Sequence, residues 1–168
     1  MIAFSPENES KFQTLLTKYE TKRSVLLPAL HLAQEQWGFI SPEIMVFLAT
    51  KLDIPPAHVY EVVAFYTMFR KKDMGQYFLQ VCNNITCTMM GSEEIIAAVR
   101  EELGIGLNEM TEDKMFSLVP VQCLGSCDTA PVIQVNEDYF EKLSPETVKS
   151  LIRKLRSGEK VESQEERC

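Results

Sequence analysis

Two cysteine-bearing stretches decide the fold: Cys82-Asn83-Asn84-Ile85-Thr86-Cys87 and, further along, Cys123-Leu124-Gly125-Ser126-Cys127. They contain four of the five cysteines, spaced C-x4-C and C-x3-C. Four thiolates on two such loops meet only if the fold closes the intervening chain, which is typical of a metal centre. A [2Fe-2S] cluster needs two thiolates at each tetrahedral iron, and four cysteines are its commonest ligands. The spacing therefore makes Cys82, Cys87, Cys123 and Cys127 the candidate ligands of one such cluster.

Other chemistry of the four cysteines stays open at this point. Structural zinc also takes four thiolates, but neither pair has the two-residue spacer that is frequent in zinc sites. Two disulfides would suit a secreted chain, and no signal peptide is recognisable. A dithiol redox site needs C-x2-C, and a Rieske centre needs two histidines, whereas His31 and His58 lie far upstream. A non-redox assembly module built around zinc is thus the alternative from a different functional class.

Composition limits the partners. The formal charge of -7 and the pI near 4.9 argue against nucleic acid as a binding partner, because binding phosphates needs a basic face. No apolar run approaches the roughly 20 residues that span a bilayer, so we expect no direct membrane insertion. With no recognisable targeting segment, the expected location is the cytoplasm, where thiols stay reduced and free to bind metal.

The first part of the chain predicts a helical bundle over residues 1–72. Ser-Pro-Glu triplets at 5–7, 41–43 and 144–146 are typical helix starts: serine caps, proline fits the first turn, and glutamate faces the positive dipole end. Apolar periodicity predicts four helices in this part, at about 6–20, 24–37, 42–52 and 56–69. We expect both histidines to be surface or packing residues, and the core to contain Phe65, Tyr66, Met68 and Phe69.

The pattern then changes to an α/β domain over residues 73–156. Strands are predicted at 77–81, which delivers Cys82, at 115–121, where Pro120 indicates an edge or bulge, and at 132–135. Ser92 is expected to cap one helix, and Ser144 another. The predicted fold class is therefore α+β. The acidic tail, 157–168, is charged and without pattern, so we expect it to be disordered and Cys168 to be a free thiol.

Four runs carry a resemblance to a known family. Residues 81–94, VCNNITCTMMGSEE, and 123–131, CLGSCDTAP, resemble the thioredoxin-like [2Fe-2S] ferredoxins. Residues 26–38, LLPALHLAQEQWG, and 54–66, IPPAHVYEVVAFY, narrow the resemblance to the E chains of NADH:quinone oxidoreductase, respiratory complex I. Two positions depart from that pattern: Gln122, where glutamate is frequent, and Lys114, where glycine is usual.

The resemblance implies a thioredoxin-like domain whose [2Fe-2S] cluster exchanges single electrons with the FMN of a partner subunit. That partner is the FMN- and NADH-binding flavoprotein, and the whole is a membrane-associated translocase with this chain in its peripheral part. Related subunits belong to NAD(P)-linked hydrogenases and formate dehydrogenases. The sequence does not distinguish these two host complexes from NADH:quinone oxidoreductase. The chain is then part of an enzyme without turnover of its own.

Two further features of the residues agree with a one-electron carrier. Gly104-Ile105-Gly106 lacks the third glycine of a dinucleotide-binding loop, so we expect no NADH site in this chain. Neither cysteine loop contains lysine or arginine, so backbone N–H groups near Gly91, Gly125 and Ser126 must offset the anionic cluster. This setting predicts a low reduction potential, of the order of -400 to -200 mV.

Overall fold

The computed structural model describes residues 2–159 and residue 161. The chain divides into two compact units, one ending at Asp73 and one beginning at Met74. Most of the tail that the sequence predicts to be disordered, including Cys168, lies outside the described residues, although Ser157 itself belongs to the last helix. Within the described part, no helix is both long and apolar enough to cross a membrane.

In its described residues, the first unit contains four α-helices and a short 3-10 turn, Lys22–Val25. The helices are α1 (Pro6–Lys18), α2 (Leu26–Trp37), α3 (Pro42–Leu52) and α4 (Pro56–Phe65). As predicted, serine caps the two that follow Ser-Pro-Glu triplets: Ser5 accepts the Asn8 N–H at 3.2 Å and Ser41 accepts the Ile44 N–H at 3.3 Å.

One apolar core joins these helices. Its largest fully buried side chains come from α1, α2, α3 and the segments between them: Phe12, Val25, Leu30, Ile40, Leu48 and Leu52. Trp37 is partly buried beside it, with its ring 5.3 Å from that of Phe4 and 5.9 Å from that of Phe47. The helical stripes read from the sequence therefore do face a common interior.

The prediction for the fourth helix was too long. The helix ends at Phe65, and Tyr66 is extended, with φ -88° and ψ 108°. The Gln34 side chain explains the break, because its amide donates to the Met68 carbonyl at 2.9 Å and its oxygen accepts the Arg70 N–H at 2.7 Å. A side chain of α2 thus takes up backbone groups that a longer helix would have paired internally.

The expected burial of the aromatic and methionine residues after this helix was also wrong for three of four positions. Only Phe69 is buried, and its ring lies 5.2 Å from that of His31. Phe65 is 77 % exposed, and both Tyr66 and Met68 are exposed as well. Phe65 is the last helical residue and lies on the exposed side of α4, whereas Tyr66 and Met68 follow the end of the helix and are not carried by its buried stripe.

The second unit contains a five-stranded mixed sheet in the order β2-β3-β1-β4-β5. The strands are β1 (Tyr77–Cys82), β2 (Glu109–Met110), β3 (Phe116–Val121), β4 (Ile133–Val135) and β5 (Asp138–Phe140). β1 pairs in parallel with β3, and all other pairs are antiparallel. β2 pairs only with Ser117 and Leu118 of β3, so Pro120 lies beyond it, as expected for a proline near a sheet edge.

Between residues 74 and 159, the sheet is accompanied by three α-helices: α5 (Ile85–Met89), α6 (Ser92–Leu103) and α7 (Pro145–Ser157). α7 begins with the predicted serine cap, in which Ser144 and Thr147 each bond the other's backbone N–H. Alternate sheet residues share one core with α6 and α7, and its fully buried members include Leu79, Val81, Ile95, Phe116, Leu118, Ile133 and Ile152. The α+β fold class predicted from the sequence is confirmed.

Helix α5 was not predicted from the sequence, and the start of α6 was predicted one residue too late. α5 has only five residues, too few to show a helical period, and begins where the Asn84 side chain accepts the Ile85 N–H at 2.7 Å. Gly91, not Ser92, caps α6, because the turn between the two helices requires φ 96°, which favours glycine. Ser92 is the first helical residue instead and is fully buried.

The short strands β2 and β5 were missed as well. β5 forms a hairpin with β4 through Asn136, which adopts φ 56°. The Asn136 side chain accepts the Phe78 N–H at 3.1 Å, which fixes the turn to β1. Strands of two and three residues carry too little alternation to be recognised in a sequence.

Candidate metal centre

Sheet topology brings the two cysteine loops together. Cys82 is the last residue of β1, and its partner across the parallel β1–β3 pair is Val121, the last residue of β3. Parallel neighbours end at the same edge of a sheet, so the loop that begins at Cys82 and the loop that holds Cys123 leave from adjacent points. Cys87 follows within α5, and Cys127 opens a 3-10 turn, Cys127–Thr129.

The four cysteines differ in exposure. Cys82 and Cys87 are each only 2 % exposed, whereas Cys123 and Cys127 are exposed. Because side chains alternate along β1, Cys82 faces away from the core that contains Leu79 and Val81. The two buried cysteines form a separate small apolar cluster, which consists of Cys82, Cys87, Ala130 and Val132 with Leu124 and Tyr139 packed against it.

The buried thiols titrate differently although they are neighbours. Burial raises the pKa of Cys87 to about 11, the adjacent Cys82 thiol adds to the rise, and the Val132 N–H opposes it. Burial also acts to raise the pKa of Cys82, but the Asn84 N–H, the Cys87 thiol and the Leu124 N–H outweigh it and lower that pKa below its ordinary value. Cys82 is therefore the thiol of the pair that is more easily held as a thiolate.

Backbone amides from both loops and from the chain before β4 point at cysteine sulfurs. Besides the donors at Cys82 and Cys87, the Gly125 N–H donates to Cys123 Sγ at 3.4 Å. Gly125 has φ 81°, a conformation that favours glycine, so this close approach of backbone to sulfur is confirmed there. Amide dipoles thus provide the positive potential that the loops, without lysine or arginine, do not provide through charged side chains.

The second loop is held by residues from β5 and the segment that follows it. The Ser126 hydroxyl donates to the Glu141 carboxylate and lies 2.6 Å from the Thr129 hydroxyl. The Tyr139 hydroxyl donates to the Leu124 carbonyl at 3.2 Å. Neither Tyr139 nor Glu141 was predicted from the sequence, because Tyr139 lies in β5, Glu141 directly follows it, and this short strand carries too little pattern to be recognised.

The two departures from the family pattern leave the site intact. Gln122 meets Cys82 through its main-chain carbonyl, which accepts from Sγ at 3.5 Å, so the identity of its side chain does not enter this contact. Lys114 adopts φ 56°, the left-handed conformation in which glycine is favoured. It lies in the turn before β3, where its carbonyl accepts the Gln76 N–H at 3.1 Å.

The histidines take part in other contacts, as expected. His31 packs on Phe69, and His58 accepts a hydrogen bond from Arg23 Nε at 2.8 Å and lies 3.3 Å from the Glu61 carboxylate. Both belong to the helical unit.

The residues present fit a [2Fe-2S] cluster. Cys82 and Cys87 interact directly, and the charge of Cys127 acts on Cys87. Over residues 2–159 and 161, no three or more histidine, cysteine or acidic side chains form a site for one metal ion. The fit rests on the chemistry of the donors, because soft thiols with several N–H groups aimed at sulfur suit iron–sulfur chemistry.

Comparison with known proteins gives the family. Residues 12–156 match the family model described as thioredoxin-like [2Fe-2S] ferredoxin. The E-type subunit of NADH-quinone oxidoreductase from Rickettsia bellii is 42 % identical over 158 residues, which cover 92 % of this chain and 95 % of that protein. The Mycobacterium bovis protein of the same name is 38 % identical over 143 residues, covering 85 % of this chain and 57 % of its own length.

A solved structure shares the fold. An NAD+-reducing [NiFe]-hydrogenase in the air-oxidised state superposes with a TM-score of 0.70 at 21 % identity, over 80 % of this chain and 23 % of the hydrogenase chain. At that identity the likeness concerns the fold alone, and this chain spans less than a quarter of the other's length. The family model, by contrast, matches most of the sequence and both cysteine pairs, and the chain belongs to the thioredoxin-like [2Fe-2S] ferredoxin family.

Proposed function

We propose that this chain is the electron-transfer subunit of an NADH-quinone oxidoreductase, in which Cys82, Cys87, Cys123 and Cys127 ligate its [2Fe-2S] cluster. The observation that carries the proposal is that the loop beginning at Cys82 and the loop holding Cys123 leave from neighbouring ends of the parallel strands β1 and β3. The 42 % identity to the Rickettsia bellii protein over nearly the whole chain supports the host complex. The cluster supplies one-electron transfer when bound.

Each cysteine pair has a distinct part in this proposal. Cys82 and Cys87 offer ligands from a buried apolar setting, which limits access of water and oxidants to that side of the site. Cys123 and Cys127 lie on the exposed second loop, so electrons can be exchanged with a partner from this side. The N–H donors at Cys82, Cys87 and Cys123 stabilise thiolate charge without a cationic side chain.

The partner in this proposal is a flavoprotein subunit that binds FMN and NADH. NADH releases a hydride, two electrons at once, so a flavin must stand between it and a one-electron carrier. We place the chain on the cytoplasmic side, in a peripheral part of a membrane-associated complex. We also propose that residues 1–72 and 73–156 are separate domains, of which only the second contributes ligands.

The experiment that tests the cluster uses full-length chain purified anaerobically with ample iron. It should contain about two irons and two acid-labile sulfides, and dithionite should produce the EPR signal of one spin-half cluster. Single serine substitutions of the four proposed ligands should each change or abolish that signal. Stoichiometric zinc without labile sulfide would refute the proposal.

A further inference from the structure

One peptide group in the second loop is hydrogen-bonded on both sides. It joins Leu124 to Gly125: its carbonyl accepts from the Tyr139 hydroxyl at 3.2 Å, and its N–H donates to Cys123 Sγ at 3.4 Å. The tyrosine hydroxyl and the cysteine sulfur are therefore connected through a single amide. Tyr139 does not touch Cys123 in this chain of bonds, so any effect it has there passes through that amide.

Such a chain of hydrogen bonds is cooperative. A donor on the carbonyl oxygen withdraws electron density from the amide, which makes its N–H a stronger donor by about 10–30 %. An N–H aimed at a sulfur ligand stabilises negative charge there, and reduction of an iron–sulfur cluster adds negative charge. Strengthening the N–H to Cys123 therefore favours the reduced state over the oxidised one.

The structure holds the Tyr139 side chain beside the Leu124 carbonyl. It lies in the middle of β5, opposite Gln134 of β4, so the sheet determines where its side chain starts. Its ring is partly buried and packs against the small cluster formed by Cys82, Cys87, Ala130 and Val132. A half-buried tyrosine commonly directs its hydroxyl to a hydrogen-bond partner, and here that partner is the Leu124 carbonyl.

We propose that Tyr139 is a positioning residue that raises the reduction potential of the cluster by polarising the Leu124–Gly125 amide, whose N–H is aimed at Cys123. The inference rests on the proposed function, since it takes Cys123 to be a cluster ligand. It assigns to β5 a part in tuning electron transfer, beyond its part in the sheet.

The test measures the midpoint potential of the reconstituted full-length protein by EPR-monitored redox titration. Tyr139→Phe keeps the ring and removes only the hydroxyl, and we expect a shift to more negative potential. A 10–30 % weakening of a charge-assisted hydrogen bond changes the reduced-to-oxidised ratio by about 1.5- to 3-fold. At 59 mV per tenfold for one electron, this is about 10–28 mV.

A second substitution reverses the sign. Site-specific 3-fluorotyrosine at position 139 makes the phenol a stronger donor while keeping the side chain in place, and near neutral pH it should shift the potential in the positive direction. Exchange into D₂O gives an independent readout: the deuterium hyperfine coupling of the N–H at the reduced cluster should weaken in Tyr139→Phe. A role confined to holding the loop does not predict the positive shift, because 3-fluorotyrosine keeps the hydroxyl and its place.

The matched control is Tyr77→Phe at the start of β1. Its ring stacks on Phe116 at 5.2 Å, and it lies five residues before Cys82, about 16 Å along the strand. Its potential should equal that of wild type. The inference is overturned if both position-139 variants keep an intact cluster with an unchanged potential. If Tyr139→Phe loses its cluster, the potential of the fluorotyrosine protein alone tests the inference. A Cys123→Ser spectrum identical to wild type overturns instead the ligand assignment beneath it.

Discussion

The proposed division into two domains predicts that each half can be destabilised alone. Leu48 of α3 is fully buried in the helical core, and Leu48→Ala there removes packed methyl groups and leaves a cavity. Such substitutions cost about 2–5 kcal/mol. Trp37, the only tryptophan, lies in the same unit beside Phe4 and Phe47, so its fluorescence reports on this half.

The assay is urea unfolding of the holoprotein, followed at once by Trp37 fluorescence and by visible absorbance of the cluster. Leu48→Ala should lower the fluorescence midpoint by about 2 M, from a loss of about 3.5 kcal/mol and a slope of about 2 kcal/mol/M, and leave the absorbance midpoint in place. The matched control is Leu79→Ala, at a fully buried site in β1, which should do the reverse. If Leu48→Ala moved both midpoints equally, the two units would unfold as one and the proposed domain division would be wrong.

Three further predictions concern the cluster and its partner. Cys123→Ser should change or abolish the EPR signal, whereas Cys168→Ser should leave it as in wild type, because Cys168 is in neither cysteine loop. A truncated chain starting at Lys72 should keep the cluster spectrum but lose co-purification with the flavoprotein. Exposed aromatic residues such as Phe65 and Tyr66 make the helical half a suitable docking surface. Equal co-purification of the truncated and full-length chains would show that the other half binds the flavoprotein. The isolated chain should give no NADH:ferricyanide activity until the FMN-bearing partner is added, and turnover without flavin would contradict the assignment.

The long, capped elements were predictable because their signals are local. Serine, proline and glutamate in sequence gave three helix starts, and all three helices begin at the proline. α3 and the strand that delivers Cys82 were predicted to within a residue, the first from its helical apolar period and the second from a short apolar run rich in strand-forming residues.

What escaped prediction depends on distant partners. The fourth helix ends where Gln34 of α2 hydrogen-bonds the backbone of Met68 and Arg70. These partners lie more than 30 positions from Gln34 in the sequence. Gly91 replaces Ser92 as a cap only because a five-residue helix precedes it. Tyr139 and Glu141 reach the second loop through a hairpin too short to show alternation. At the candidate site, therefore, the spacing was enough to propose four cysteine ligands, but the residues that hydrogen-bond their loops could not be predicted.

The parallel pairing of β1 with β3 also bears on biosynthesis. The first cysteine loop leaves the ribosome well before the second, and the amide donor to Cys87 and the hydroxyl donor to Leu124 come later still, from Val132 and Tyr139. A parallel strand pair closes only after the intervening helices have been made, and non-local pairing is slow. The nascent chain thus exposes Cys82 and Cys87 alone for a time, and the four proposed ligands are present together only after the second loop has been made.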